Sequence, residues 1–301
     1  MSEAKEMHRV VLVSDVHYTT QETHEEMKRM NPSVNTSLAA GDIFGYPQHD
    51  KVDCMYRDIL SFVGREPTDA ILFLGDLSLD DYSFRNLPEN YCAKLKEECL
   101  DRWPVPVRCL AGNHDSYPEN MWREVIGTPR QYTAHIGGAA FIMLDTFAKI
   151  PATDASGAGY SGVDMSWLRQ QTKQCGEGPI FLCAHHIRED EEELFQFMRD
   201  DPRIVCAFRG HTHINGALHP VAASEKPLID IGGYGYHGMQ VEKKYIFTRF
   251  SPDWAWGYEV LEWDNAHVHM YHVKTPRVYV GDNGTFDYPG CIEDVLNLNI
   301  G

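Results

Sequence analysis

A chain of 301 residues with 43% hydrophobic and 24% charged side chains has ordinary globular composition, which excludes a disordered chain too poor in apolar residues to form a core. The formal charge of −17 excludes a general nucleic-acid or anionic-membrane surface, because such surfaces need clustered Lys and Arg. An acidic protein acting on a small anionic substrate needs local positive charge, which bound metal ions can supply.

The N-terminal MSEAKEMHRV is polar and lacks the basic start and apolar stretch of a secretory signal, and no run reaches membrane-spanning length. The first predicted strand, residues 9–14 (RVVLVS), ends at Asp15-Val16-His17. A polar insertion over 18–48 follows, of a length typical of lids and binding loops and equally of a solvated excursion. Residues 50–63 place Val52, Met55, Tyr56, Ile59 and Val63 at helical spacing. The next strand, 70–74 (AILFL), ends at Gly75-Asp76. Pro88 opens a helix carrying Tyr91, Leu95 and Cys99 on one side. The strand 105–111 (VPVRCLA) runs into Gly112-Asn113-His114-Asp115.

A third helix starts at Asp164 as N-cap, with Leu168 and Cys175 on one side. The strand 179–184 (PIFLCA) ends at His185-His186. The acidic run 189–193 then reads as the solvated start of a helix carrying Leu194, Phe195 and Met198, since acidic residues suit a helix N-terminus. The strand 204–209 (IVCAFR) ends at Gly210-His211-Thr212-His213. Continuous apolar runs are what strands buried on both faces look like, and ligands gather where such strands end.

After Pro227 the pattern becomes strands and turns: 228–231, 245–250, 257–263 and 267–273, with Asp264-Asn265 as a hairpin turn between the last two. The segment from Gly232 to His237 offers aromatics for stacking on a base or ring, or is a glycine-rich turn. The tail from about residue 275 carries no assignable element. With no repeat or flexible linker, the chain reads as one domain over 1–301. Its eight cysteines include no C-x-x-C pair and read as reduced, buried thiols of a cytoplasmic protein.

The strand-end clusters together supply two Asp, one Asn and four His: Asp15, His17, Asp76, Asn113, His185, His211 and His213. Mixed carboxylate, amide and imidazole donors form a two-metal set suited to Mn, Fe, Zn or Co, and one carboxylate can bridge. Two such ions about 3.5–4 Å apart can activate water and clamp both ends of an in-line phosphoryl displacement. Gly41-Asp42 is a second Gly-Asp pair, but it follows the polar NTSLAA rather than an apolar strand. His185 and His186 are neighbours, and on extended backbone neighbours point oppositely, so only one of them suits a metal. His267-Val268-His269 reads as an ordinary half-exposed strand.

In order from Asp15 to His213, the chain matches the pattern D-x-H, G-D, G-N-H-D, H, G-H-x-H and so resembles the calcineurin-like metallophosphoesterase superfamily, most nearly its cyclic nucleotide phosphodiesterase and glycerophosphodiesterase branch. The resemblance implies an α/β fold, a four-layer α/β/β/α sandwich of two mixed sheets flanked by helices. It implies one metal held by Asp15, His17 and His213, a second by Asn113, His185 and His211, and Asp76 bridging. It makes His114 the proton donor to the leaving group, Asp115 its orienting partner, and Asn113 and His114 stabilisers of charge on the phosphate oxygens. The implied substrate is a small-molecule phosphate ester. The motifs show no Arg or Lys cluster for a second dianionic group, which favours a phosphodiester. The same motifs serve phosphomonoesterases and nucleotide or lipid pyrophosphatases. A catalytically inactive metal-binding scaffold is the reading from another class, and the complete ligand set with His114 argues against it.

Overall fold

The computed structural model describes residues 6–18, 48–78, 90–151, 157–213, 215–220, 224–234, 239–241, 244–246, 257–274, 277–279, 285–287 and 292–300. Nearly all of the polar insertion, the Gly41-Asp42 pair, Pro88 and residues 235–237 and 247–250 lie outside the described residues.

The first nine strands are β1 (His8–Val13), β2 (Ala70–Leu74), β3 (Val107–Leu110), β4 (Tyr132–Ile136), β5 (Ala139–Leu144), β6 (Ile180–Ala184), β7 (Ile204–Arg209), β8 (Asn215–Pro220) and β9 (Pro227–Ile231). They are followed by β10 (Met239–Val241), β11 (Lys244–Ile246), β12 (Gly257–Trp263), β13 (His267–Lys274), β14 (Arg277–Tyr279), β15 (Thr285–Asp287) and β16 (Ile292–Asn299). Two six-stranded mixed sheets carry the fold, in the orders β16-β13-β12-β1-β2-β3 and β4-β5-β6-β7-β9-β8. In the first, β1, β2 and β3 are parallel and β12, β13 and β16 antiparallel to their neighbours. In the second, β5, β6, β7 and β9 are parallel. The remaining strands pair as two short ribbons, β10-β11 and β14-β15.

Side-chain alternation along the strands builds the layers. Val10, Leu12, Leu72 and Leu74 of the first sheet meet Phe141, Phe181, Cys183 and Phe208 of the second in a core between the sheets. Val11, Val13, Ile71 and Phe73 point the other way, against Met55 and Ile59 of the helix Gln48–Val63 and Leu95 of the helix Tyr91–Glu98. On the outer face of the second sheet, Ile142, Leu144 and Leu182 pack against Leu168 of the helix Met165–Gln174 and Leu194 and Met198 of the helix Glu192–Asp200. The result is the four-layer sandwich, and strands buried on both faces explain the unbroken apolar runs.

Local chemistry sets the boundaries. Asp164 caps its helix by accepting from Trp167 N at 3.0 Å. The second helix starts at Tyr91 because Asn90 Oδ1 accepts from Ala93 N at 2.9 Å. Asp264 Oδ1 accepts from the N–H groups of Ala266 and His267, closing the β12-β13 hairpin. His269, on β13, lies 2.9 Å from Asp294 of β16, an exposed strand contact.

Several elements were not anticipated: β4, β5, the helix Glu119–Ile126 and β16. The tail does carry structure, since β16 pairs antiparallel with β13 and completes the first sheet. It was illegible because β16 (IEDVLNLN) is a polar-rich edge strand defined by its partner rather than by its own pattern. Among the described residues, Cys92, Cys99, Cys109, Cys175, Cys183 and Cys206 are free and buried.

Candidate metal centre

The parallel strands bring their C-terminal loops together at one edge of the sandwich. Pairing continues past the end of β1, with Asp15 N donating to Gly75 O, His17 N to Asp76 O and Tyr18 N to Leu77 O at 2.9–3.1 Å. Asp15, His17, Asp76, His211 and His213 all take left-handed backbone, with φ between 48° and 65°. Non-glycine residues rarely adopt that region, at a cost of about 1–3 kcal/mol each. Among the described residues only Glu225 joins them, so the backbone strain is concentrated where these ligand-type side chains converge.

Close packing of backbone against side chain makes this possible. A Cβ on Gly112 would lie 2.1 Å from Asp76 Oδ1, and one on Gly75, whose φ is +91°, would lie 2.5 Å from the His185 ring. Glycine at these two motif positions is therefore a steric requirement.

The side chains form two adjoining groups. Asp15 Oδ1 faces His213 Nε2 at 3.1 Å and His17 Nε2 at 3.6 Å. Asn113 Oδ1 faces His185 Nε2 at 3.0 Å and His211 Nδ1 at 2.9 Å. Asp76 Oδ2 lies between them, 3.1 Å from His185 Nε2 and 3.8 Å from His17 Nε2. The second oxygens are tied down, Asp15 Oδ2 accepting from His211 N at 2.9 Å and Asp76 Oδ1 from His114 N at 2.8 Å. Asp15 Oδ1 is buried and accepts no hydrogen bond. An orphaned carboxylate oxygen ringed by imidazole nitrogens fits a bound cation, which would complete it. Asp15, His17 and His213, and likewise Asp76, His185 and His211, offer ligand atoms within 4.8 Å of one another.

Burial pulls the His17 imidazole down to about 4 against the pull of Asp15 and Asp76, and burial together with His185 and His186 takes His211 to about 3. Burial acts downward on His185 too, yet Asp76 and Asp15 outweigh it and hold that imidazole at about 9. Burial acts upward on both carboxylates, but the surrounding histidines, His213 and His185 at Asp15 and His185 and His114 at Asp76, hold them well below the usual carboxylate range. Ionised carboxylates and neutral imidazoles are the forms that ligate a metal, so His17 and His211 are already in that form, while the proton that Asp76 and Asp15 hold on His185 is one a bound cation would displace.

His114 stands beside these groups, its ring edge-on to His17 at 5.2 Å between centroids. Asp115, expected from the family resemblance to orient His114, also has a role of its own in the backbone around the site. Asp115 Oδ2 accepts from Leu77 N and Gly112 N, and Oδ1 from Ser78 N and Ser78 Oγ, at 3.0–3.1 Å. Cys92 Sγ adds a longer contact to Oδ1 at 4.0 Å, and through the four shorter bonds Asp115 ties the loop after β2 to the loop after β3. Of the adjacent histidines, His185 reaches Asp76 and Asn113, while the His186 ring packs tilted against the His211 ring, with centroids 4.4 Å apart. Tyr234 is buried, its hydroxyl donating to Asp58 at 3.0 Å and its N–H to Ser14 O at 3.0 Å. It anchors the loop after β9 rather than offering a stacking face.

Two buried arginines that sequence reasoning passed over brace the site. Arg130 donates to Asp145 and to the carbonyls of Asp115 and Tyr117. Arg209 donates to Asp230, to Ile187 O and to Glu189. The one advance sign was an arginine at the end of an apolar strand, where an unpaired charge could not stay buried.

The family model of the calcineurin-like phosphoesterases matches residues 8–215. A search of curated proteins finds no match. Among solved structures, a dimetal phosphatase from Danio rerio is similar with a TM-score of 0.57 at 13% identity, covering 96% of this chain and 99% of that one. The purple acid phosphatase PPD1 of yellow lupin (Lupinus luteus) gives 0.54 at 13% identity, over 96% of this chain and 54% of that one. GAP50, the anchor in the inner membrane complex of Plasmodium, gives 0.50 at 14% identity, over 94% and 89%. At these identities the likeness is one of fold.

Proposed function

The chain belongs to the calcineurin-like phosphoesterase family, and from that premise we propose that this metal-dependent phosphoesterase is a phosphodiesterase acting on small diesters such as cyclic nucleotides or glycerophosphodiesters. The family implies two divalent metal ions, and the residue clusters fit such a site. In this reading Asp15, His17 and His213 would hold one ion and Asn113, His185 and His211 the other, with Asp76 shared between the two groups. When bound, the ions neutralise phosphate charge and activate water. The chain's own part is to hold the ligands in a strained, prearranged cradle and to place His114 at its rim. There the imidazole of His114 can hand a proton to the departing ester oxygen, and Asn113 and His114 can steady charge on the phosphate oxygens.

The observation that carries the diester reading is the engagement of the nearby arginines. Arg130 and Arg209 are buried and committed to Asp145 and Asp230, and Arg188 is paired with Asp190. The two buried guanidinium groups are already committed to carboxylates and so do not serve a second dianionic group, which suits a singly charged phosphodiester. Mn, Fe, Zn and Co all match the donor set. The buried, reduced thiols support a cytoplasmic setting.

Cyclic nucleotides, glycerophosphodiesters and phosphomonoesters assayed with each of these metals provide the test. Higher kcat/KM on diesters is expected, and consistently higher values on monoesters would replace this reading with a phosphomonoesterase.

A further inference from the structure

His186 is a half-buried imidazole that none of the ligand groups uses. Its ring packs against the metal-cluster residue His211 at 4.4 Å between centroids and edge-on against Tyr160 at 5.2 Å. Its backbone is fixed, since the carbonyl accepts from Thr146 Oγ1 at 2.9 Å, and Tyr160 is fixed in turn by donating to Glu191 at 2.7 Å. Nδ1 is buried and makes no hydrogen bond. Burying a polar nitrogen without a partner is unfavourable, and a phenylalanine would fill the same space without that cost. Packing therefore does not explain a histidine here.

The unpartnered nitrogen also points to a tautomer. Orphaned buried N–H groups are rarer than orphaned acceptors, so the proton belongs on Nε2, leaving Nδ1 bare inside. Nε2–H is then the donor that can meet a partner from outside. His186 and its neighbour His211 are both only part-buried, and their ring contact puts this donor beside the Asn113–His185–His211 group. The arrangement mirrors His114, which packs edge-on to His17 of the other group.

From this geometry we infer that His186 is a second substrate-contacting imidazole, whose Nε2–H donates to a non-bridging oxygen of the substrate phosphate. The inference rests on the phosphoesterase reading and adds a residue outside the metal-ligand pattern. It separates His186 from His114 by role: a donor to a non-bridging oxygen acts whatever group departs, whereas a proton donor to the leaving group acts most on poor leaving groups.

The test compares His186→Phe, which keeps the ring packing, with His186→Gln, which restores an N–H donor, in the manganese-loaded protein. Metal content and thermal midpoint of His186→Phe should match the parent. Calorimetric affinity for inorganic phosphate should fall about tenfold, the size of one hydrogen bond, and kcat/KM should fall by the same factor on p-nitrophenyl and alkyl diesters. His186→Gln should recover part of both losses. Unchanged phosphate affinity and kcat/KM in His186→Phe would overturn the inference. So would metal loss in both variants, which would assign His186 to packing beneath His211. A parent protein inactive on every ester would instead defeat the underlying reading, while phosphate affinity would still report on His186.

Discussion

Ser78 donates both its backbone N–H, at 3.0 Å, and its hydroxyl, at 3.1 Å, to the same carboxylate oxygen of Asp115. The contact spans loops 37 residues apart in the chain and holds in register the loops that carry Asp76 and Asn113. Asp115 is thus a positioning residue. Asp115→Ala would leave its buried donors without an acceptor and should cost about 3 kcal/mol or more. Asp115→Asn, which presents an NH2 group to N–H donors, should recover little of it. Denaturant unfolding with metal analysis of the folded fraction checks this, and a variant as stable and metal-replete as the parent would remove the loop-tying role.

Metal content follows from the converging donors and the orphaned oxygen of Asp15. An active preparation should carry up to two transition-metal ions per chain and lose activity to a chelator. Because Asp76 faces both groups, Asp76→Asn should lower metal occupancy and reduce kcat at least about 10²-fold. Elemental analysis beside turnover decides it. A chelator-insensitive, metal-free active enzyme would sink the dinuclear reading, and greater damage from Asp42→Asn would move the second motif.

The place of His114 beside His17, with its N–H on Asp76, sets a third expectation. His114→Ala should keep its metals and lose about 10²-fold or more on alkyl or ribosyl esters, where the departing oxygen needs a proton. The loss on p-nitrophenyl esters should be smaller. Equal losses on both would leave His114 as a stabiliser of charge on the phosphate.

Burial pushes the Cys99 thiol up to about 12 and holds Cys109, Cys183 and Cys206 well above the ordinary range. In the unfolded chain these thiols ionise near about 8.5. Their folded values are raised, so their contribution to stability is intact below about pH 8.5 and is lost as pH rises toward the folded values, by up to about 1.4 kcal/mol per pH unit for each thiol. Denaturation midpoints at pH 7, 9 and 10 should fall accordingly. A disulfide exchange reagent at pH 8 should leave these four cysteines untouched until the protein unfolds. Rapid native labelling of any of the four would contradict their burial.

Much of this molecule was legible in the sequence. β1, β2, β6 and β7 are apolar on both faces because a core lies on each side of their sheets, and such burial is written residue by residue into a strand. The convergence of Asp15, Asp76, Asn113, His185 and His211 was legible for the same reason, since each follows a strand whose end faces one edge of the sandwich. Other features were decided only by tertiary structure. β16 exists through its pairing with β13, and the donors that Leu77 and Ser78 bring to Asp115 come from a loop distant in sequence. The direction of His186 depends on the faces of His211 and Tyr160. A local pattern records whether a residue is buried and which way the chain turns. Which donor fills a particular lone pair is settled by segments distant in sequence, once the sheets have packed and excluded water.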